Sequence, residues 1–103
     1  MTAKRITDLF QIEHPLIQAP MAGAQDHRLA VAVCDAGGLG SLPCAMLDAD
    51  GIRREVAYIR AATRQPLNLN FFCHVTPVAD SEREQVWVNT LSPYFRELDI
   101  DTS

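Results

Sequence analysis

The stretch HPLIQAPMAG, residues 14–23, decides the fold. Pro15 to Ala19 is a short apolar run opened by a proline, which suits the first residue of a strand, where a missing N–H is tolerated. It passes without a charged residue into Pro20, Met21 and Gly23. Pro20 fixes the backbone angle, Gly23 lets the chain turn, and Met21 offers a polarisable, uncharged surface. A strand ending this way can meet the face of an aromatic ring system at its tip. Its other reading is plainer: Met21 plugs the mouth of a barrel.

Downstream, strands and helices alternate. In HRLAVAVCDAGG, residues 27–38, Leu29, Ala30, Val33 and Cys34 share one helical face. Asp26 is the natural N-cap, and Gly37–Gly38 supplies a stop. Leu39 to Pro43 reads as a second strand, small enough at Gly40 and Ser41 for close approach to its backbone. The clearest helix follows, with Asp48 as N-cap and Asp50 at the positive end of the dipole. Ile52, Val56 and Ile59, with Ala62 or Thr63, form its buried stripe, and Pro66 ends it. LNLNFF, residues 67–72, alternates apolar and polar residues as a third strand. A further helix starts at Asp80 or Ser81 and is anchored by Trp87. Another then restarts with Ser92 as cap and Pro93 in its first position.

Such alternation predicts parallel strands joined by helical crossovers, with the nearly wholly apolar first strand buried on both faces. A doubly wound sheet would prefer G-x-G-x-x-G after its first strand, and APMAGAQD lacks it. The closed (β/α)8 barrel is therefore favoured.

The 103 residues allow one domain or a piece of one. With 48% hydrophobic and 21% charged residues the composition is that of a globular chain. The net charge of -4 gives no basic footprint for nucleic acid or anionic lipid. No apolar run has membrane-spanning length, and MTAKRITDLF lacks the apolar segment of a secretory signal. Cys34, Cys44 and Cys73 are odd in number and form no C-x-x-C pair, which predicts reduced, mostly structural thiols in a cytoplasmic protein. His14, His27 and His74 show no metal-ligand spacing.

In parallel sheets ligands sit at the C-terminal strand ends. Asn70 stands there among leucines and phenylalanines, where an amide is costly unless its hydrogen bonds are met, and a cofactor contact is favoured. Asn68 shares its face and could equally bridge neighbouring strands. Gly37–Gly38 could cradle a phosphate, but follows a helix and reads better as a cap. No histidine stands out as catalytic. His74 has no evident orienting carboxylate, and His27 lies in a first helical turn where the dipole opposes its charge.

HPLIQAPMAG, DAGGLGSLPCAML and LNLNFF, in this order and spacing, resemble the N-terminal part of the nitronate monooxygenase family, formerly the 2-nitropropane dioxygenases. LSPYFRELDI also resembles that family's helix before the fourth strand. The resemblance spans Ile6 to Ile100. It implies a TIM-type (β/α)8 barrel binding FMN, with Ala19, Pro20, Met21 and Ala22 lying against the flavin ring and Asn70 contacting it. It implies oxidation of an alkyl nitronate by O2 to a carbonyl compound and nitrite. The family's catalytic histidine and FMN-phosphate loops match no part of this chain. Residues 1–103 are thus expected to be the first three βα units of an incomplete barrel, marginally folded and doubtful in activity alone. Uncovered sheet edges would favour self-association. The alternatives are a related flavin-dependent enoyl reductase, from which Pro20 leans away, or a non-catalytic fragment that self-associates.

Overall fold

The computed structural model describes residues 5–101. The chain divides into two compact units, the first reaching to Cys73 and the second beginning at His74.

The first unit opens with a short helix, α1 (Ile6–Phe10), on a segment for which the sequence offered no element. Asp8 accepts a hydrogen bond from the Arg5 N–H at its start, 3.3 Å. The first strand, expected over Pro15–Ala19, shrinks to a single parallel bridge between Ile17 and Leu39. Bonds from Leu39 N–H to the Leu16 carbonyl and from Gln18 N–H to the Leu39 carbonyl, both 2.9 Å, hold it.

Helix α2 (His27–Asp35) begins where its cap predicts: the Asp26 carboxylate accepts from the Arg28 N–H at 2.9 Å. Gly37 and Gly38 end it, with the Gly38 N–H reaching back to the Val33 carbonyl at 3.0 Å. The glycine pair is thus a helix cap and turn. Strand β1 (Gly40–Pro43) is buried throughout, and α3 (Ala49–Ala62) starts at Asp48, whose carboxylate accepts from Gly51 N–H at 2.7 Å. Strand β2 (Leu67–Asn70) pairs parallel with β1 in the register Gly40 with Leu67 through Pro43 with Asn70. It stops at Asn70, short of the expected Phe72. Phe71 and Phe72 are exposed.

The two sides of β1 differ. Leu42 faces the helices and joins Ala30, Cys44 and Ile59 in the core, against which Val31, Ile52, Val56 and Leu67 pack. Gly40 faces them too. A Cβ there would lie 2.2 Å from the Ala30 carbonyl oxygen and 2.6 Å from Cys34 Sγ, so α2 lies directly against the strand backbone. This close approach selects the small residues Ala30 and Cys34 as the buried face of α2 and leaves Leu29 exposed, contrary to the expected stripe. The α3 stripe is as expected, with Thr63 rather than Ala62 buried beyond Ile59. Ser41, by strand alternation, points to the side away from the helices.

The second unit is built on one helix, α4 (Ser81–Glu97), capped by Asp80. The expected break at Ser92 is absent, and Pro93 sits inside the helix. Ending it there would orphan up to four carbonyls and then four N–H groups, whereas an internal proline forfeits one bond at a cost of ~3 kcal/mol. None of its residues is buried, and Trp87 is exposed rather than an anchor. Among the described residues no helix is long and apolar enough to cross a membrane.

Candidate functional site at the strand ends

The expected cofactor residues lie at the ends of the two strands that flank β1. Ala19, Pro20, Met21 and Ala22 form the loop leaving the first strand. Asn70 ends β2, in register with Pro43 at the end of β1. The loop folds into a turn closed by the Ala24 N–H on the Met21 carbonyl, 3.1 Å, with Gly23 at φ 78°, a conformation other residues rarely adopt. Met21 is 46% exposed. Asn70 is half-buried, and its carbonyl accepts from the Cys44 N–H at 2.9 Å.

Beneath this edge lies a polar layer that converges on Ser41, which is fully buried. The Ser41 N–H donates to Gln18 Oε1 at 3.0 Å, and its hydroxyl donates to the Gln18 carbonyl at 2.7 Å. The same hydroxyl accepts from Asn68 Nδ2 at 3.0 Å. Asn68 is therefore the interstrand bridge that its position allowed. Gln25 extends the network into the loop: its Nε2 donates to the Ser41 carbonyl at 2.8 Å, and its Oε1 accepts from the Met21 N–H at 3.0 Å. One donor is left over. Gln18 Nε2 is buried and has no hydrogen-bond partner among the described residues.

Two of these side chains, Gln18 and Gln25, escaped the sequence reading. Gln18 carried a usable signal, because a lone amide in an apolar strand raises the same question as Asn70. Gln25 carried none, since its role depends on where the loop turns.

A second polar cluster joins α2 to α3. Glu55 Oε2 lies 2.9 Å from His27 Nδ1 and accepts from the His27 N–H at the same distance. The His27 ring stands 4.8 Å from that of Tyr58. The carboxylate at the helix N-terminus offsets the unfavourable placement read from the sequence. Its clue was Glu55 itself, which interrupts the stripe of Ile52, Val56 and Ile59. Glu55 also lines a cavity of about 190 Å³ with Gly23, Gln25, Pro43 and Met46, at the end of β1. A larger cavity of about 410 Å³ lies near His14, Leu16, Val33 and Gly38, away from this edge.

Charge is concentrated outside the loop. Hydrogen bonds from Arg28, side chain first and then backbone, lower the Asp26 carboxyl from 3.8 to about 2. Burial pushes the Cys44 thiol up, which makes it unreactive. Cys34 is buried as well, and its thiol donates to the Pro66 carbonyl at 3.3 Å, whereas Cys73 is exposed. Among the described residues no group of three or more His, Cys, Asp or Glu could hold a metal ion.

Fold and site together define an α/β protein with parallel strands, α2 and α3 packed on one side of them, and an uncharged, hydrogen-bonded loop at the strand ends. A family profile described as nitronate monooxygenase matches residues 3–103, and the chain belongs to that family. It is 47% identical over 97 residues to a nitronate monooxygenase of Paraburkholderia phytofirmans, covering 93% of this chain and 26% of that one. It is 43% identical over 93 residues to a nitronate monooxygenase of Pseudomonas aeruginosa, covering 90% and 26%. Among solved structures it resembles nitroalkane oxidase from Streptomyces ansochromogenes, with TM-score 0.63, 33% identity, and coverage of 95% of this chain and 27% of that one. FabK from Thermotoga maritima matches with TM-score 0.64, 31% identity, and coverage of 97% and 29%. The chain spans about a quarter of the length of these curated relatives.

Proposed function

We propose that this chain supplies the first part of the flavin site of an FMN-dependent nitronate monooxygenase, built on the opening βα units of a (β/α)8 barrel. The reaction would convert an alkyl nitronate and O2 to a carbonyl compound and nitrite. The observation that carries the reading is the loop at residues 19–22: uncharged, with Met21 half exposed, at the C-terminal end of a parallel ladder in a member of this family.

The residues present fit a flavin ring. Its body is flat and apolar, which suits Ala19, Pro20, Met21 and Ala22, and its edge carries acceptors and a donor, which suit the Asn70 amide. The buried, unpartnered Gln18 Nε2 adds a donor one residue before this loop, and an acceptor there would relieve the cost of leaving it unsatisfied. When bound, the flavin supplies the electron transfer between nitronate and oxygen. The chain's own residues do three things: Met21 and Pro20 present an apolar wall, Asn70 orients the ring edge, and the Ser41 network holds both strand ends in register. The phosphate and the proton-transferring residue are assigned to no position of this chain. We place the protein in the cytoplasm, in keeping with its unpaired thiols.

An FMN titration of the purified chain, followed by flavin fluorescence, tests the reading. Saturable binding that is lost in Asn70→Ala and weakened in Met21→Ala supports it, and absence of binding overturns it for this chain. Nitrite release from an alkyl nitronate, set against NAD(P)H oxidation with an enoyl substrate, separates the monooxygenase from the enoyl reductase reading.

A further inference from the structure

We propose that Gln25 is a positioning residue that sets the height of Met21 against the flavin by tying its backbone to Ser41. The inference rests on the flavin reading above and adds a residue that the reading does not include.

Ser41 is the anchor. It is completely buried and takes part in hydrogen bonds to Gln18 and Asn68, so its carbonyl is a fixed point in the sheet. Gln25 spans from that point to the loop, with Nε2 on the Ser41 carbonyl at 2.8 Å and Oε1 under the Met21 N–H at 3.0 Å. Both ends of one amide are used, and they join two segments that lie 16 residues apart in sequence. Without Gln25 the turn still closes, because the Ala24 N–H to Met21 carbonyl bond and the geometry at Gly23 are local. That turn would, however, be free to pivot on the strand end. Gln25 therefore governs where the turn sits rather than whether it forms. It also turns the Met21 N–H inward, so this amide is not a donor for the ligand, contrary to what the exposed loop suggests.

The substitution Gln25→Met keeps the length of the side chain and removes both bonds. Gln25→Glu keeps an acceptor for the Met21 N–H and places a carboxylate oxygen against the Ser41 carbonyl. FMN binding should weaken about tenfold in Gln25→Met, because binding would then have to fix a turn that the wild-type chain holds in place beforehand. The urea midpoint should fall modestly, because the buried Ser41 carbonyl loses its donor, so FMN binding is read on the folded variant below its transition. Exchange of the Met21 amide with D2O should accelerate in Gln25→Met and stay slow in Gln25→Glu, a readout that a general packing role would not move. Wild-type FMN affinity in both folded variants overturns the proposal while leaving the flavin reading intact. Fast exchange of the Met21 amide in the wild-type chain also overturns it, even if Gln25→Met fails to fold. A wild-type chain with a protected Met21 amide but no FMN binding overturns the flavin reading, and this inference with it.

Discussion

The two units of this chain carry the same kind of helix cap and use their helices differently. Helices α2 and α3 each have an aspartate cap and an apolar stripe, and both press that stripe onto β1 and its neighbours. Helix α4 has the same kind of cap at Asp80 and carries Val86, Trp87, Val88 and Leu91, yet none of its residues is buried. Local signals nucleate a helix in each case. Among the described residues, the sheet of the first unit covers the apolar faces of its own helices. Caps and periodicity therefore say where a helix is, and burial decides what it contributes to stability.

Substitutions graded by burial should sharpen this contrast. The largest effect is expected at Gly40. In Gly40→Val the Cβ would meet the Ala30 carbonyl oxygen at 2.2 Å, and α2 cannot retreat without leaving the sheet. The expected outcome is loss of the cooperative urea transition of the first unit, followed by circular dichroism. Next is Ile59→Ala, which empties a fully buried site and should cost about 2–5 kcal/mol in the same measurement. Asp48→Ala removes the α3 cap and should cost about 1 kcal/mol.

A smaller effect should follow pH. The Asp26 carboxyl is lowered from 3.8 to about 2 in the folded chain, so its cap is fully present above about 3.8. It is lost as pH falls through about 2. Helicity in Asp26→Asn should lack that step, and the step itself should be shallow because the group is solvent-screened. The smallest effect is expected at Trp87→Ala, within about 0.5 kcal/mol of wild type for an exposed position. A loss of several kcal/mol there would mean that α4 is buried against something, and the contrast between the units would fail.

Much of the candidate site was legible, and the exceptions share a cause. Asp26, Asp48 and Asp80 announced their helices because a cap is a contact within three residues of chain. Asn70 at a strand end, Asn68 as an interstrand bridge and Gly37–Gly38 as a helix stop could be read from alternation and turn chemistry. The helix expected to restart at Ser92 did not, because proline preference for a first turn is weaker than the cost of breaking a helix already formed. Glu55, Gln18 and Gln25 went unread as partners because each acts across 16 to 28 residues of sequence.

By itself, then, the sequence determined the aspartate caps that open α2, α3 and α4, the parallel connection and the uncharged loop that leaves the first strand. These follow from preferences that act over a single turn of helix or a few strand residues. Only the tertiary structure decided which stripe of α2 is buried, that Ser41 collects the amides of three segments, and that the Met21 N–H faces inward. Those outcomes depend on how closely one backbone approaches another, and Gly40 sets that approach through the side chain it lacks.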